Sequence, residues 1–160
     1  MTDRTDLHHQ HKQETQTDCP LCVAPLPGEL VRTDHCIIVD AQEPLYPGFT
    51  RVIWIDHVRE MTDLSAQERQ LLMDTVFEVE HIMRVHLEPH KVNLASLGNQ
   101  APHVHWHVIA RWSDDVAFPN PVWAGGTDSE AAQARRALTL SALTAYHEAL
   151  IKRFKSANHD

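Results

Sequence analysis

The residues with the most chemistry to offer are His103, His105 and His107, at alternate positions in His103-Val104-His105-Trp106-His107-Val108-Ile109. In an extended strand successive side chains leave on opposite faces, so the three imidazoles share one face while Val104, Trp106 and Val108 turn to the other. An imidazole titrates at about 6.5, which leaves it mostly neutral yet easily protonated near neutral pH, fit to act as nucleophile, acid, base or metal ligand. Three in register suit a metal ion or a phosphate group. The bland alternative is an ordinary strand whose outward positions happen to be histidine, in a chain with 13 histidines among 160 residues. Strict alternation inside an apolar run speaks against it.

A second constellation is Cys19-Pro20-Leu21-Cys22. A two-residue spacer lets both sulfurs reach one tetrahedral zinc from a tight turn, but the pair supplies only half a site. A thioredoxin-like redox pair instead belongs at the start of a helix after a strand, whereas here a polar stretch precedes it and Pro25, Pro27 and Gly28 follow. Free reduced thiols near the surface are the third reading. Directly ahead of the histidines, Gly98-Asn99-Gln100-Ala101-Pro102 forms an amide-rich turn whose side chains can donate to phosphate oxygens.

The elements that must position these residues follow from periodicity. Short strand-like segments at Glu29 to Arg32, Cys36 to Asp40 and Arg51 to Ile55 are separated by turn formers at Thr33-Asp34 and Pro47-Gly48. No helix fits between them, so they should pair antiparallel, with Cys36 in the core. Ser65-Ala66-Gln67-Glu68 is a capping box opening a helix, and Leu72, Val76, Val79 and Met83 form its buried stripe until Pro89. The charged residues Glu68, Arg69 and Glu80 are read as its solvated face. A fourth strand is expected over Val92 to Leu97 and the histidine strand ends near Arg111.

Ser113 to Gly126 is irregular, with Phe118 and Trp123 among Pro119, Pro121 and Gly125. It should fold back over a ligand, a dimer partner or the sheet, packing being the simplest. Ser129 to Lys155 reads as a last helix with apolar positions at Leu138, Ala142, Tyr146, Leu150 and Phe154, and cations at its end to suit the helix dipole.

Length and an apolar fraction of 42% support one packed core. The expected organisation is a disordered leader over 1–17, in which His8, His9 and His11 have nothing to fix their geometry, a domain over 18–126, and a C-terminal helix over 127–160 on the same domain. The formal charge of −8 argues against a nucleic-acid partner, though not against a small anion held by local donors. No apolar run approaches the roughly 20 residues of a membrane span, nor does the N-terminus carry a signal-peptide core, so the chain reads as cytoplasmic and not membrane-bound. Three cysteines fit that compartment as ligands or a redox pair better than as a disulfide framework.

The histidine run resembles the His-φ-His-φ-His-φ-φ motif of the histidine triad (HIT) superfamily of nucleotide hydrolases and transferases, and the element order over Cys19 to Arg111 is similar to that fold. Tyr46-Pro47-Gly48-Phe49-Thr50-Arg51-Val52-Ile53-Trp54, Asn93 to Gln100 and Pro119-Asn120-Pro121-Val122-Trp123 resemble a bacterial branch described as diadenosine tetraphosphate hydrolases. The resemblance implies an α+β fold, a five-stranded antiparallel sheet with helices on one face, and a two-fold homodimer in which sheets join. It implies that His105 attacks the α-phosphorus of a nucleotide, with His107 about 7 Å along the same face to touch phosphate or leaving group. Asn93, Asn99 and Gln100 would contact phosphate or ribose. It further implies a structural zinc on Cys19, Cys22, His57 and His103, a closed set with no open position for chemistry.

One alternative keeps the zinc and makes the protein a nucleotide binder with little turnover. Another gives all three histidines to one catalytic ion. The sequence departs from the resemblance at Phe49, where many members carry a further histidine.

Overall fold

The computed structural model describes residues 18–156; the expected leader over 1–17 lies outside them. Five strands, β1 (Glu29–Arg32), β2 (Cys36–Asp40), β3 (Thr50–Trp54), β4 (Lys91–Ala95) and β5 (His105–Arg111), form one sheet in the order β1-β2-β3-β5-β4. Every neighbouring pair is antiparallel. Two helices, α1 (Ala66–Leu87) and α2 (Glu130–Ser156), complete an α+β fold.

Alternation sorts the strand residues into two layers. Ile38, Val52, Val108 and Ala110 point to the face covered by both helices, where they join Leu72, Val76, Val79 and Met83 of α1 and Tyr146, Leu150 and Phe154 of α2 in one buried cluster. The opposite face carries Ile37, Val39 and Ile53 with Leu26 beneath them, and then the histidines. Helices therefore fill one side of the sheet and leave the other to the site.

Local chemistry sets the ends. Ser65 accepts from the Glu68 amide at 3.2 Å while its own amide donates to the Glu68 carboxylate at 2.7 Å, which starts α1 where the sequence predicts. Helix α1 stops at Glu88, whose left-handed φ of 48° precedes Pro89. On the helical face the Thr50 hydroxyl and Tyr146 hydroxyl, both fully buried, meet at 2.8 Å and join β3 to α2.

Three expectations shift. Strand β4 ends at Ala95 rather than Leu97, because the Ser96 hydroxyl turns to the His105 carbonyl at 2.9 Å and the chain leaves the ladder. Strand β5 begins at His105: the amides of His103 and Val104 go to Ala101 and Val58 instead. Leu138 is 60% exposed, and Ala132 and Thr139 face inward. That part of α2 lies on the loop after β5, where Arg135 pairs with Asp114 at 3.1 Å and covers the Trp112 ring. The smaller residues permit that close approach. Among the described residues no helix is long and apolar enough to cross a membrane.

Candidate functional site

On the uncovered face β3 and β5 form the floor of a cleft of about 540 Å³. Its register sets His105 opposite Ile53 and His107 opposite Arg51. The walls are the Cys19–Cys22 turn with Pro20 and Leu21, the end of β2 with Asp40 to Gln42, the β4–β5 loop with Leu97 to Ala101, and Trp123. The alternation read from sequence holds, but the triad face is not open to solvent: His103, His105 and His107 are 1%, 7% and 6% exposed.

The three rings are held differently. His105 Nδ1 lies 2.6 Å from the His103 carbonyl oxygen, which can only accept, so Nδ1 carries the proton and Nε2 keeps its lone pair. Burial pulls the His105 pKa down, the carbonyl contact opposes it, and the Arg51 charge adds to the fall. His105 is thus a neutral imidazole with one bare nitrogen on a ring that lines the cleft.

His107 sits against His105 (centroids 4.8 Å apart), Phe49 (5.4 Å) and Trp123 (5.5 Å), all edge-to-face. Burial, then the His105 and Arg51 charges, push its pKa down to about 4, and its Nδ1 has no hydrogen-bond partner.

His103 faces away from this chemistry. Its Nε2 donates to the Trp54 carbonyl at 2.7 Å, which leaves Nδ1 as a bare donor atom 3.5 Å from Cys19 Sγ and 3.4 Å from Cys22 Sγ. His57 Nδ1 lies 3.3 Å from Cys22 Sγ. The four donor atoms all fall within 4.8 Å of one another. Bonds of about 2.3 Å to sulfur and 2.0 Å to nitrogen give tetrahedral edges of roughly 3.5 Å, so two sulfurs and two bare nitrogens at these separations fit a zinc-type ion. Burial and the neighbouring Cys19 push the Cys22 thiol up to about 11, a proton that a divalent cation would replace. Among the described residues this is the group placed to hold a metal. The triad does not converge on one ion: among the described residues the group close enough to share a metal takes His103 with Cys19, Cys22 and His57, without His105 or His107.

Of the remaining sequence candidates, Asn99 and Gln100 line the cleft. Asn93 does not, and its Oδ1 accepts from Arg111 at 2.8 Å. Sequence reasoning missed Arg51, and for Trp123 it preferred packing over the ligand contact it also allowed. A lone cation inside the apolar strand Val52-Ile53-Trp54, on the same face as Phe49, was the available signal for Arg51. Trp123 is far from the triad in sequence, and its edge contact with His107 puts it on the cleft rim, beyond mere packing on the sheet.

Residues 29–114 match the HIT domain, and the chain belongs to that family, whose members are typically nucleotide hydrolases. The match leaves out Cys19, Cys22, Trp123 and α2. Among solved structures, a histidine triad protein from Bradyrhizobium japonicum is 23% identical, with 72% of this chain and 89% of that one covered at a TM-score of 0.58. One from Marinobacter aquaeolei is 25% identical over 74% of this chain and 89% of its own, TM-score 0.56. A zinc-bound histidine triad family protein from Mycobacterium smegmatis is 18% identical over 81% and 98%, TM-score 0.55. Among curated proteins none matches the sequence.

Proposed function

We propose that this protein cleaves a nucleotide at its α-phosphate through a covalent nucleotidyl-His105 intermediate, with a dinucleoside polyphosphate or a nucleoside phosphoramidate as substrate. The observation that carries the reading is the pinned tautomer of His105: the carbonyl of His103 takes the Nδ1 proton, and a neutral nitrogen with a free lone pair remains on a ring lining the cleft. Nε2 attacks phosphorus, the P–N bond forms as the bond to the leaving group breaks, and the leaving group departs with that electron pair, an amine taking a solvent proton that the water of the second step returns. Water then attacks the same phosphorus and frees His105 and the nucleoside monophosphate. His107 is the ring beside the reacting phosphate, and His103 contributes through its carbonyl. Asn99 and Gln100 supply amide donors from the cleft wall, and Asn93 would add its Nδ2 hydrogens, its oxygen being held by Arg111.

The same reading gives Cys19, Cys22, His57 and His103 to a structural zinc, supported by the donor set above. The zinc supplies a cross-link and no chemistry. It assigns the chain to a homodimer joined through its sheets, consistent with β4 standing at a sheet edge. Packing of Phe49 against His107, where many members carry a histidine, favours a second reading, a nucleotide binder with little turnover.

The test incubates the protein with adenosine phosphoramidate and diadenosine polyphosphates, with and without chelator, beside His105→Asn. Turnover that survives brief chelation and disappears in the variant is expected. Nucleotide binding without turnover would favour the second reading, and activity that needs added metal with the fold intact would favour a metal-dependent reaction.

A further inference from the structure

Phosphate chemistry needs positive charge held where the anion sits, and the triad does not supply it. His105 spends its Nδ1 proton on the His103 carbonyl, and Phe49 offers no donor. Among the residues lining the cleft, the charged ones are Asp40 and Arg51. Asp40 is already engaged: its Oδ1 accepts from the Gln42 amide at 2.8 Å and its Oδ2 lies 3.3 Å from His147 of α2, on the helical side.

Arg51 is different. It stands on the floor of the cleft, directly across the β3–β5 ladder from His107. No carboxylate pairs with it among the described residues, and its Nε is buried without a hydrogen-bond partner. The guanidinium is placed 5.8 Å from the centroid of the Phe49 ring. A buried face of a cation without an anion is costly, and a permanently charged planar fork suits phosphate oxygens better than any other side chain.

We propose that Arg51 is a substrate-binding residue, the fixed cation that holds the phosphate oxygens of the nucleotide over His105 and His107. It rests on the reading of the cleft as a nucleotide site and extends it to specificity. A guanidinium stays charged at any working pH, so the cleft ranks ligands by phosphate charge: a nucleoside diphosphate group is held more tightly than a monophosphate, and a bare nucleoside least. Phe49 packs against the Arg51 guanidinium and the His107 ring, and so helps to aim both.

Isothermal titration of the full-length protein with adenosine, AMP and ADP, and with the guanine series, compares wild type with Arg51→Met and Arg51→Lys. Wild type should bind ADP more tightly than AMP and AMP more tightly than adenosine. Arg51→Met should weaken AMP and ADP by roughly 10- to 100-fold, the range for a charge-assisted contact, and change adenosine by less than about threefold. Arg51→Lys should fall between the two, and the salt dependence of ADP binding should shrink in Arg51→Met. Equal weakening of nucleoside and nucleotides would make Arg51 a packing residue and overturn the proposal. So would unchanged ADP affinity, or wild-type protein that binds no nucleotide. The covalent reading fails separately, by absence of turnover or by turnover that survives His105→Asn, and either result leaves the AMP-to-ADP ranking as the judge of Arg51.

Discussion

At the scale of single residues, three histidines two positions apart do different work because each ring has one nitrogen committed elsewhere or none at all. His103 gives its proton to Trp54 and turns its lone pair to the cysteines, while His105 gives its proton to His103 and keeps its lone pair in the cleft. His107 is the exception, a ring walled by His105, Phe49 and Trp123 with Arg51 across the ladder. Its pKa of about 4 lies below the ordinary value of about 6.5. As pH falls, the unfolded chain therefore takes up this proton before the folded one, and stability is lost between roughly pH 6.5 and 4 and is unaffected above that window. Integrated to pH 5, the difference is about 2 kcal/mol. Urea unfolding at pH 7.5 and pH 5 should show His107→Asn losing less stability than wild type over that interval by about this amount, since Asn does not titrate. Identical pH dependence in the two proteins would mean that His107 titrates alike in the folded and the unfolded chain.

At the scale of elements, most of the frame was legible and most of the site was not, for a physical reason. The capping box, the α1 stripe and the alternation in β5 are local patterns, and each is found where the sequence puts it. The pairing of Arg51 with His107 depends on strand register, and the register of β3 with β5 spans α1 and β4. No local pattern carries it. The Cys19–Cys22 turn shows the same division. The spacing of its cysteines was readable, but that Pro20 and Leu21 between them form a cleft wall was not. On the proposed reading, a metal held by this group would anchor a wall of the cleft as well as the turn from Cys19 to Cys22. Cys22→Ser should lower the melting temperature and weaken AMP binding together, since the wall loses its fixed position. Prolonged chelation of wild-type protein should reproduce both effects. Zinc content near zero in carefully purified, stable protein would remove the basis of this prediction.

At the scale of the whole molecule, the sheet supplies the floor, and the far wall is a loop strapped down beside it. Arg111 is 2% exposed and continues the triad face of β5; its guanidinium bonds Asp115 through two nitrogens at 2.6 and 3.0 Å, the Asn120 carbonyl at 2.8 Å and Asn93 at 2.8 Å. Burial pushes the Asp115 carboxyl up, but Arg111 and the amides of Phe118 and Ala117 more than reverse this, so it stays ionised. This strap holds residues 112–120, and Trp123 at the rim follows from it. Breaking a buried pair by removing one partner costs about 3–5 kcal/mol, because the remaining charge is stranded. Arg111→Met should therefore unfold at markedly lower urea and raise KM as Trp123 loses its seat. Trp123→Ala should raise KM to a similar degree with stability nearly unchanged, since this side chain is 54% exposed. If Arg111→Met is destabilised but keeps its KM, the strap supports the fold without placing Trp123. If Trp123→Ala keeps its KM, the rim does not touch the ligand. Only a rise in KM in both variants, with a stability loss confined to the first, makes the buried ion pair the device by which the core reaches the cleft.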